Sequence, residues 1–185
     1  MGSIAGSLER TPPLVARAEE LAARLGFTRS CEPEVGRLLH VLAAQRGRFR
    51  VGEIGTGAGV GAAWIVSALA PEVPFFTAEL DAERAALAAR LFDRDENVHV
   101  LHGDWRDVLA SEAPFDFLFV DSGPSKADPA VRGLVAPRGT VVLDDLTPGR
   151  THDPVRDLWL RDPDYAATEL LVTPAMAVLV AARVR

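Results

Sequence analysis

The sequence predicts an α/β fold, a doubly wound and mostly parallel seven-stranded sheet whose last two strands close it as a C-terminal antiparallel hairpin. Three observations carry that prediction. Short apolar runs alternate with helical periodicity from residue 49 onward. A glycine-rich turn, Glu53-Ile54-Gly55-Thr56-Gly57-Ala58-Gly59-Val60-Gly61, joins the first apolar run to a helical pattern through Trp64, Ile65 and Leu69. The alternation then ends in two β-rich segments, Ala167–Val172 and Met176–Ala182, on either side of Thr173-Pro174. Strands joined that tightly must be antiparallel.

The elements follow in order. Thr11-Pro12 reads as a helix start, with Leu14, Ala18, Leu21 and Leu25 on one face and Gly26 as the stop. A second helix runs from Glu32 to Gln45, with Val35, Leu38, Leu39 and Leu42 at core spacing. Five strands come next: Phe49–Ile54, Phe75–Glu79, Val98–Leu101, Phe115–Val120 and Thr140–Leu143. Their connections carry helices over Ala62–Leu69, Ala82–Phe92 and Ala127–Leu134, and a last helix spans Val155–Leu160. Fully apolar strands such as Phe117-Leu118-Phe119-Val120 belong in a parallel sheet covered on both faces. No linker, repeat or low-complexity tract interrupts the chain. It reads as one domain over 1–185, with N-terminal helices in 1–46 and a cofactor-binding α/β core in 47–185.

Composition narrows the function. An apolar fraction of 48% and a charged fraction of 25% are those of a soluble globular protein. Arg, Asp, Glu or Pro interrupts every run that could span a membrane. Gly6 stands where a myristoylation signal wants Ser or Thr, and no signal-peptide core follows Met1-Gly2-Ser3. The single cysteine, Cys31, excludes an internal disulfide framework and a cysteine zinc site, so a cytoplasmic setting is expected. Cys31 itself is read as a structural thiol at a helix start. The net charge of −6 argues against broad nucleic-acid binding, and the cluster Arg46, Arg48 and Arg50 reads as a solvated turn.

The glycine turn points to a nucleotide-like ligand, since glycines permit a tight turn and leave no Cβ between backbone and ligand. A dinucleotide pattern counted from Gly55 and Gly57 would place its last small residue at Val60, so that pattern fails. What stands instead is Glu53 ending the strand ahead of glycines at alternate positions. A carboxylate there would repel a pyrophosphate and suits a ligand with an ammonium group. S-adenosylmethionine has that group beside a cationic sulfonium, and no phosphate.

Ligands of doubly wound sheets lie beyond the carboxyl ends of the strands. Acids stand at or just after all five parallel strand ends: Glu53, Glu79, Asp104 in His102-Gly103-Asp104-Trp105, Asp121, and the pair Asp144-Asp145. The competing reading for any one of them is a helix cap, most of all for Asp104 and Asp145.

These residues resemble the small O-methyltransferases of the catechol and caffeoyl-CoA type, over about Ser30 to Thr147 and more loosely to the C-terminus. The resemblance implies a Rossmann-like class I methyltransferase fold. It implies that Glu53, Gly55, Thr56, Gly57 and Gly61 cradle the methionine part of S-adenosylmethionine, with Asp121 beside it. Glu79 would bind the ribose hydroxyls, while Asp104 and Trp105 would flank the adenine; plain core is the other reading of Trp105. It further implies magnesium or another divalent cation held by Asp121, Asp144 and Asp145 against two substrate hydroxyls, and a homodimer.

The chain departs from the family pattern in three places. Asp145 stands where Asn is usual, Lys126 follows Asp121 by five residues where three is usual, and the stretch between the first ligand and the acidic pair is short. Lys126 is the only lysine, and unlike arginine a lysine can lose its proton. It is therefore a candidate catalytic base together with Asp121, with His152 as rival, unless it is an ordinary loop residue. His40 and His99 read as structural, and His102 as lying at the adenine end. The function expected is O-methylation of a small hydroxylated, catechol-like molecule. A tRNA-modifying enzyme and a non-catalytic cofactor-binding protein are the alternatives.

Overall fold

The computed structural model describes residues 11–150 and 152–185; the N-terminal segment read above for targeting signals lies outside them. One sheet of seven strands runs in the order β3-β2-β1-β4-β5-β7-β6. The strands are β1 (Val51–Ile54), β2 (Phe75–Glu79), β3 (Val98–His102), β4 (Phe115–Val120), β5 (Val135–Leu146), β6 (Tyr165–Thr173) and β7 (Met176–Arg183). The first five pair in parallel, and β7 lies antiparallel between β5 and β6. The doubly wound sheet and terminal hairpin are as the sequence predicts.

Two apolar layers cover the sheet. On one face α1 (Pro13–Arg24), α2 (Pro33–Ala43) and α3 (Val60–Val66), with the end of α4 (Ala82–Leu91), pack on Val51, Phe75, Phe117 and Phe119. On the other, Trp105 and Leu109 at the short helix α5 (Trp105–Val108), and Trp159 of α6 (Pro154–Leu160), pack on Ile54, Leu118, Val120 and Leu143. Neighbours in β4 thus point to opposite layers, and every residue of that strand is buried.

Local chemistry moved several boundaries. The buried stripe of α1 is Val15, Ala18, Leu21 and Ala22, and Leu25 is exposed. Thr11 makes no cap, because Pro12 takes the cap position. The helix expected over Ala127–Leu134 is instead two 3-10 turns, Gly123–Ala127 and Pro129–Leu134. Pro124 and Pro129 lack the N–H donors that a continuous α-helix needs, and the Asp128 side chain accepts from Ala130 N to start the second turn. Strand β5 begins five residues earlier than expected and bends through Arg138 at φ 66°.

The Arg46–Arg50 cluster is less solvated than its sequence suggests. Arg48 donates to both the carbonyl and the carboxylate of Asp116, and Arg50 pairs with Glu112. Among the described residues no helix is long and apolar enough to cross a membrane.

Candidate active site

The sheet order reverses between β1 and β4, so a crevice opens where their carboxyl ends diverge. The glycine turn forms its floor. Gly55 sits at φ 98°, and a Cβ there would stand 2.9 Å from the Asp121 carbonyl oxygen. The two strand ends touch through bare backbone, and Asp121 N donates to Ile54 O at 2.9 Å. Gly61 performs the close helix-to-strand packing: a Cβ there would meet Phe119 at 2.8 Å and Glu53 Oε1 at 2.9 Å. That is the task the dinucleotide pattern assigns one position earlier, where this chain has Val60.

Glu79, at the end of β2, is held from both sides. Its Oε2 accepts from Gly57 N at 2.8 Å, and its Oε1 from Asp81 N at 2.9 Å and Arg84 Nη2 at 2.9 Å. Glu53 lies beneath the turn, 1% exposed, and does not line the cleft. Its Oε2 accepts from the Thr77 hydroxyl at 2.5 Å, and the Thr56 and Thr77 hydroxyls meet at 2.5 Å. Burial pushes the Glu53 carboxyl well above its usual range; the Thr77 bond opposes this, and the nearby Asp121 and Glu79 charges add to it.

The acids that follow β4 and end β5 cluster at the cleft, Asp121 and Asp145 in its wall and Asp144 behind it. Burial raises half-buried Asp121 to about 8, helped by the charge of Asp144 and opposed by Lys126. Burial also raises Asp144 to about 6, against the backbone N–H of Asp145, which donates to Asp144 Oδ1 at 2.6 Å. Asp145 adopts φ 55° and sends its carboxylate to Lys126 Nζ at 3.4 Å. Its backbone is left-handed, a conformation that Asn and Asp tolerate better than most residues. Asp145 is no helix cap. Among the described residues, no three His, Cys, Asp or Glu side chains stand where they could hold one metal ion. Asp121, Asp144 and Asp145 are neighbours at the ends of paired strands, but they do not form such a group.

A cleft of about 520 Å³ lies over the turn. Its wall includes Gly55, Thr56, Gly57, Gly61, Glu79, Asp104, Trp105, Asp121 and Asp145. Of the expected site residues, Glu53, Asp144 and Lys126 are the ones set behind that wall. Asp104 does cap α5, accepting from Arg106 N at 2.9 Å. Trp105 is both largely buried and part of the wall, with the Arg106 guanidinium 4.6 Å from its ring centroid. His40 bonds to Trp64 O at 3.0 Å and His99 stacks on Phe76, both structural as expected. His152 is exposed and does not line the cleft.

Sequence reasoning missed the opposite wall, formed by Phe27, Arg29, Ser30 and Cys31 in the link between α1 and α2, and by Arg84. Phe27 lies 2.9 Å from where a Gly57 Cβ would stand, and the Arg84 guanidinium is 5.7 Å from its ring. No local signal marks that link as part of a site; only the Arg84 position, one turn into the helix after Glu79, could have suggested it. Burial, with the charges of Asp144, Asp121, Glu53 and Asp145, pushes the Cys31 thiol well up, consistent with an inert structural thiol.

This sheet order, with a glycine turn and acids at its switch point, defines the class I methyltransferase fold. Residues 53–146 match the family model described as a methyltransferase domain. A protein of Mycobacterium avium (strain 104) assigned as an O-methyltransferase is 30% identical over 151 residues, 76% of this chain and 68% of that protein. A counterpart in Mycobacteroides abscessus is 30% identical over 161 residues, covering 82% and 73%. The chain belongs to this family, the class I S-adenosylmethionine-dependent O-methyltransferases. Among solved structures, the O-methyltransferase of Bacillus cereus in complex with S-adenosylhomocysteine superposes with a TM-score of 0.81 at 20% identity, covering 97% of this chain and 94% of that one. TomG of Streptomyces achromogenes, an O-methyltransferase of tomaymycin synthesis in complex with S-adenosylmethionine, gives 0.81 at 24% identity, covering 98% and 94%.

Proposed function

We propose that this enzyme methylates an oxygen of a small hydroxylated, catechol-like molecule, with Asp121 receiving the hydroxyl proton. The observation that carries the reading is one cleft wall that joins the glycine turn, Glu79, Trp105 and Asp121. The cradle suits S-adenosylmethionine, because glycine at 55 and 57 lets the turn take positive φ and close against Asp121 and Phe27, with its backbone in the cleft wall. Gly55, Thr56, Gly57 and Gly61 would receive its amino-acid end, with Asp121 alongside. Glu79 would take the ribose hydroxyls, and Asp104 with Trp105 would border the adenine. Glu53 would act from below, by holding Thr77 and Thr56 in place.

When bound, S-adenosylmethionine supplies a methyl group made electrophilic by its sulfonium. Asp121 borders the cleft at the end of β4, and its carboxyl, raised to about 8, is a proton acceptor matched to mildly alkaline conditions. The remaining work is proximity and alignment of two reactants in one crevice. The aspartates as they stand, with Lys126 paired to Asp145, do not fit a divalent cation. RNA as substrate is disfavoured by the net charge of −6 and by the internal pairing of Arg48 and Arg50.

The test is methyl transfer from labelled S-adenosylmethionine to a panel of catechols, by the natural protein and by Asp121→Asn. The variant should lose about 10²- to 10⁴-fold in rate. It should also lose the rise of rate with pH near 8, while keeping S-adenosylhomocysteine binding within about tenfold. An Asp121→Asn enzyme as fast as the natural one would overturn the assignment.

A further inference from the structure

We propose that Lys126 is a built-in cation, its ammonium standing in the aspartate cluster in place of a divalent metal, so that methyl transfer here is metal-independent. The inference rests on the methyltransferase reading above and concerns the charge balance behind its cleft.

Lys126 is 5% exposed, an unusual state for a lysine, and its Nζ lies 3.4 Å from Asp145 Oδ2. Its charge also opposes the effect of burial on the neighbouring Asp121 and Asp144. The residue is anchored there. Fully buried Trp159 donates from Nε1 to the Lys126 carbonyl at 2.9 Å, and the 3-10 turn Gly123–Ala127 sets its direction. Asp144 has one oxygen committed to the Asp145 amide, and the Asp145 carboxylate is drawn to the lysine. A divalent ion entering this cluster would have to displace a buried ammonium or sit against it.

The choice of residue agrees. The chain has 20 Lys plus Arg, of which only position 126 is Lys, leaving 19 arginines. An arginine presents a broad planar fork that wants paired acceptors, whereas an ammonium is a compact point charge, closer in shape to a metal ion. Lys126 does not line the cleft, so it acts as a positioning residue through Asp145, which it pairs with and which does line it.

The experiment is a manganese titration of the full chain with S-adenosylhomocysteine present, read by water-proton relaxation and by thermal shift. It compares the natural protein with Lys126→Met and Lys126→Arg. The natural protein and Lys126→Arg should show no specific manganese binding. In Lys126→Met, freed carboxylates should bind manganese about a hundredfold more tightly. Manganese should then raise the melting temperature of that variant alone, a signal that survives even if its fold is weakened. Catechol methylation by the natural protein should be indifferent to chelator. One-to-one manganese binding by the natural protein, or Lys126→Met binding no more tightly than it, would overturn the proposal. Failure of the natural protein to bind S-adenosylhomocysteine would instead sink the methyltransferase reading, which the manganese comparison does not test.

Discussion

Replacing Gly55 by alanine tests the claim that the two central strand ends meet through bare backbone. At φ 98° an L-residue lies outside its comfortable range, which costs about 1–2 kcal/mol. The new Cβ would stand 2.9 Å from the Asp121 carbonyl oxygen and 3.1 Å from its carbonyl carbon. Both are main-chain atoms, tied down by the bond from Asp121 N to Ile54 O, so relief requires β4 to move. Overpacking of that kind adds about 1–3 kcal/mol. Together these predict a loss of about 2–5 kcal/mol, or roughly 4–20 °C in melting temperature for a chain of this size. The control is Gly133→Ala, where a Cβ meets nothing within 4 Å and which should change stability by less than about 0.5 kcal/mol. Differential scanning calorimetry reads the fold, and titration with S-adenosylhomocysteine reads the cleft, where affinity should fall as well. If Gly55→Ala melted with Gly133→Ala and bound as the natural protein does, the strand-end contact would have no such consequence.

Other predictions concern charge. Asp144 is raised to about 6 and Asp121 to about 8, so the folded state holds protons that the unfolded chain has released above about pH 4. Stability should therefore fall as pH climbs from about 4 through 8; Asp144→Asn, which still accepts from the Asp145 amide, should flatten that fall and gain on the order of 1–3 kcal/mol at pH 8. A melting temperature that rises over this window in the natural protein would contradict the assignment. The Cys31 thiol, pushed well up by burial, should alkylate at neutral pH more than about tenfold slower than free cysteine, as followed by mass spectrometry. Labelling at the free-thiol rate would mean that it is accessible and ionised.

The parts of this molecule legible in its sequence are those governed by local pattern. Apolar runs gave away β1 to β4, and an acid at each strand end located the crevice, because parallel strands deliver all their carboxyl ends to one edge. Tertiary geometry hid the rest. Nothing in Phe27 to Cys31 says that this link folds across the strand ends, since its contact with Gly57 joins residues distant in sequence. Prolines at 124 and 129 turned an expected helix into two 3-10 turns, and those turns bury Lys126 instead of leaving it on a loop. Glu53 stands at the right position for a ligand acid, yet its side chain points beneath the turn to Thr77. A strand end specifies where a residue is, and the neighbouring strand's side chains decide where its carboxylate goes.

The central claim is that the crevice between β1 and β4 binds S-adenosylmethionine through Glu79. Calorimetric titration with S-adenosylhomocysteine tests it most directly, on the natural protein and on Glu79→Ala, with folding of the variant checked by circular dichroism. The account predicts one-to-one binding by the natural protein and a loss of about tenfold to hundredfold in a folded variant, the scale of a charge-assisted hydrogen bond. Absence of binding by the natural protein, or equal affinity in a folded Glu79→Ala, would contradict it.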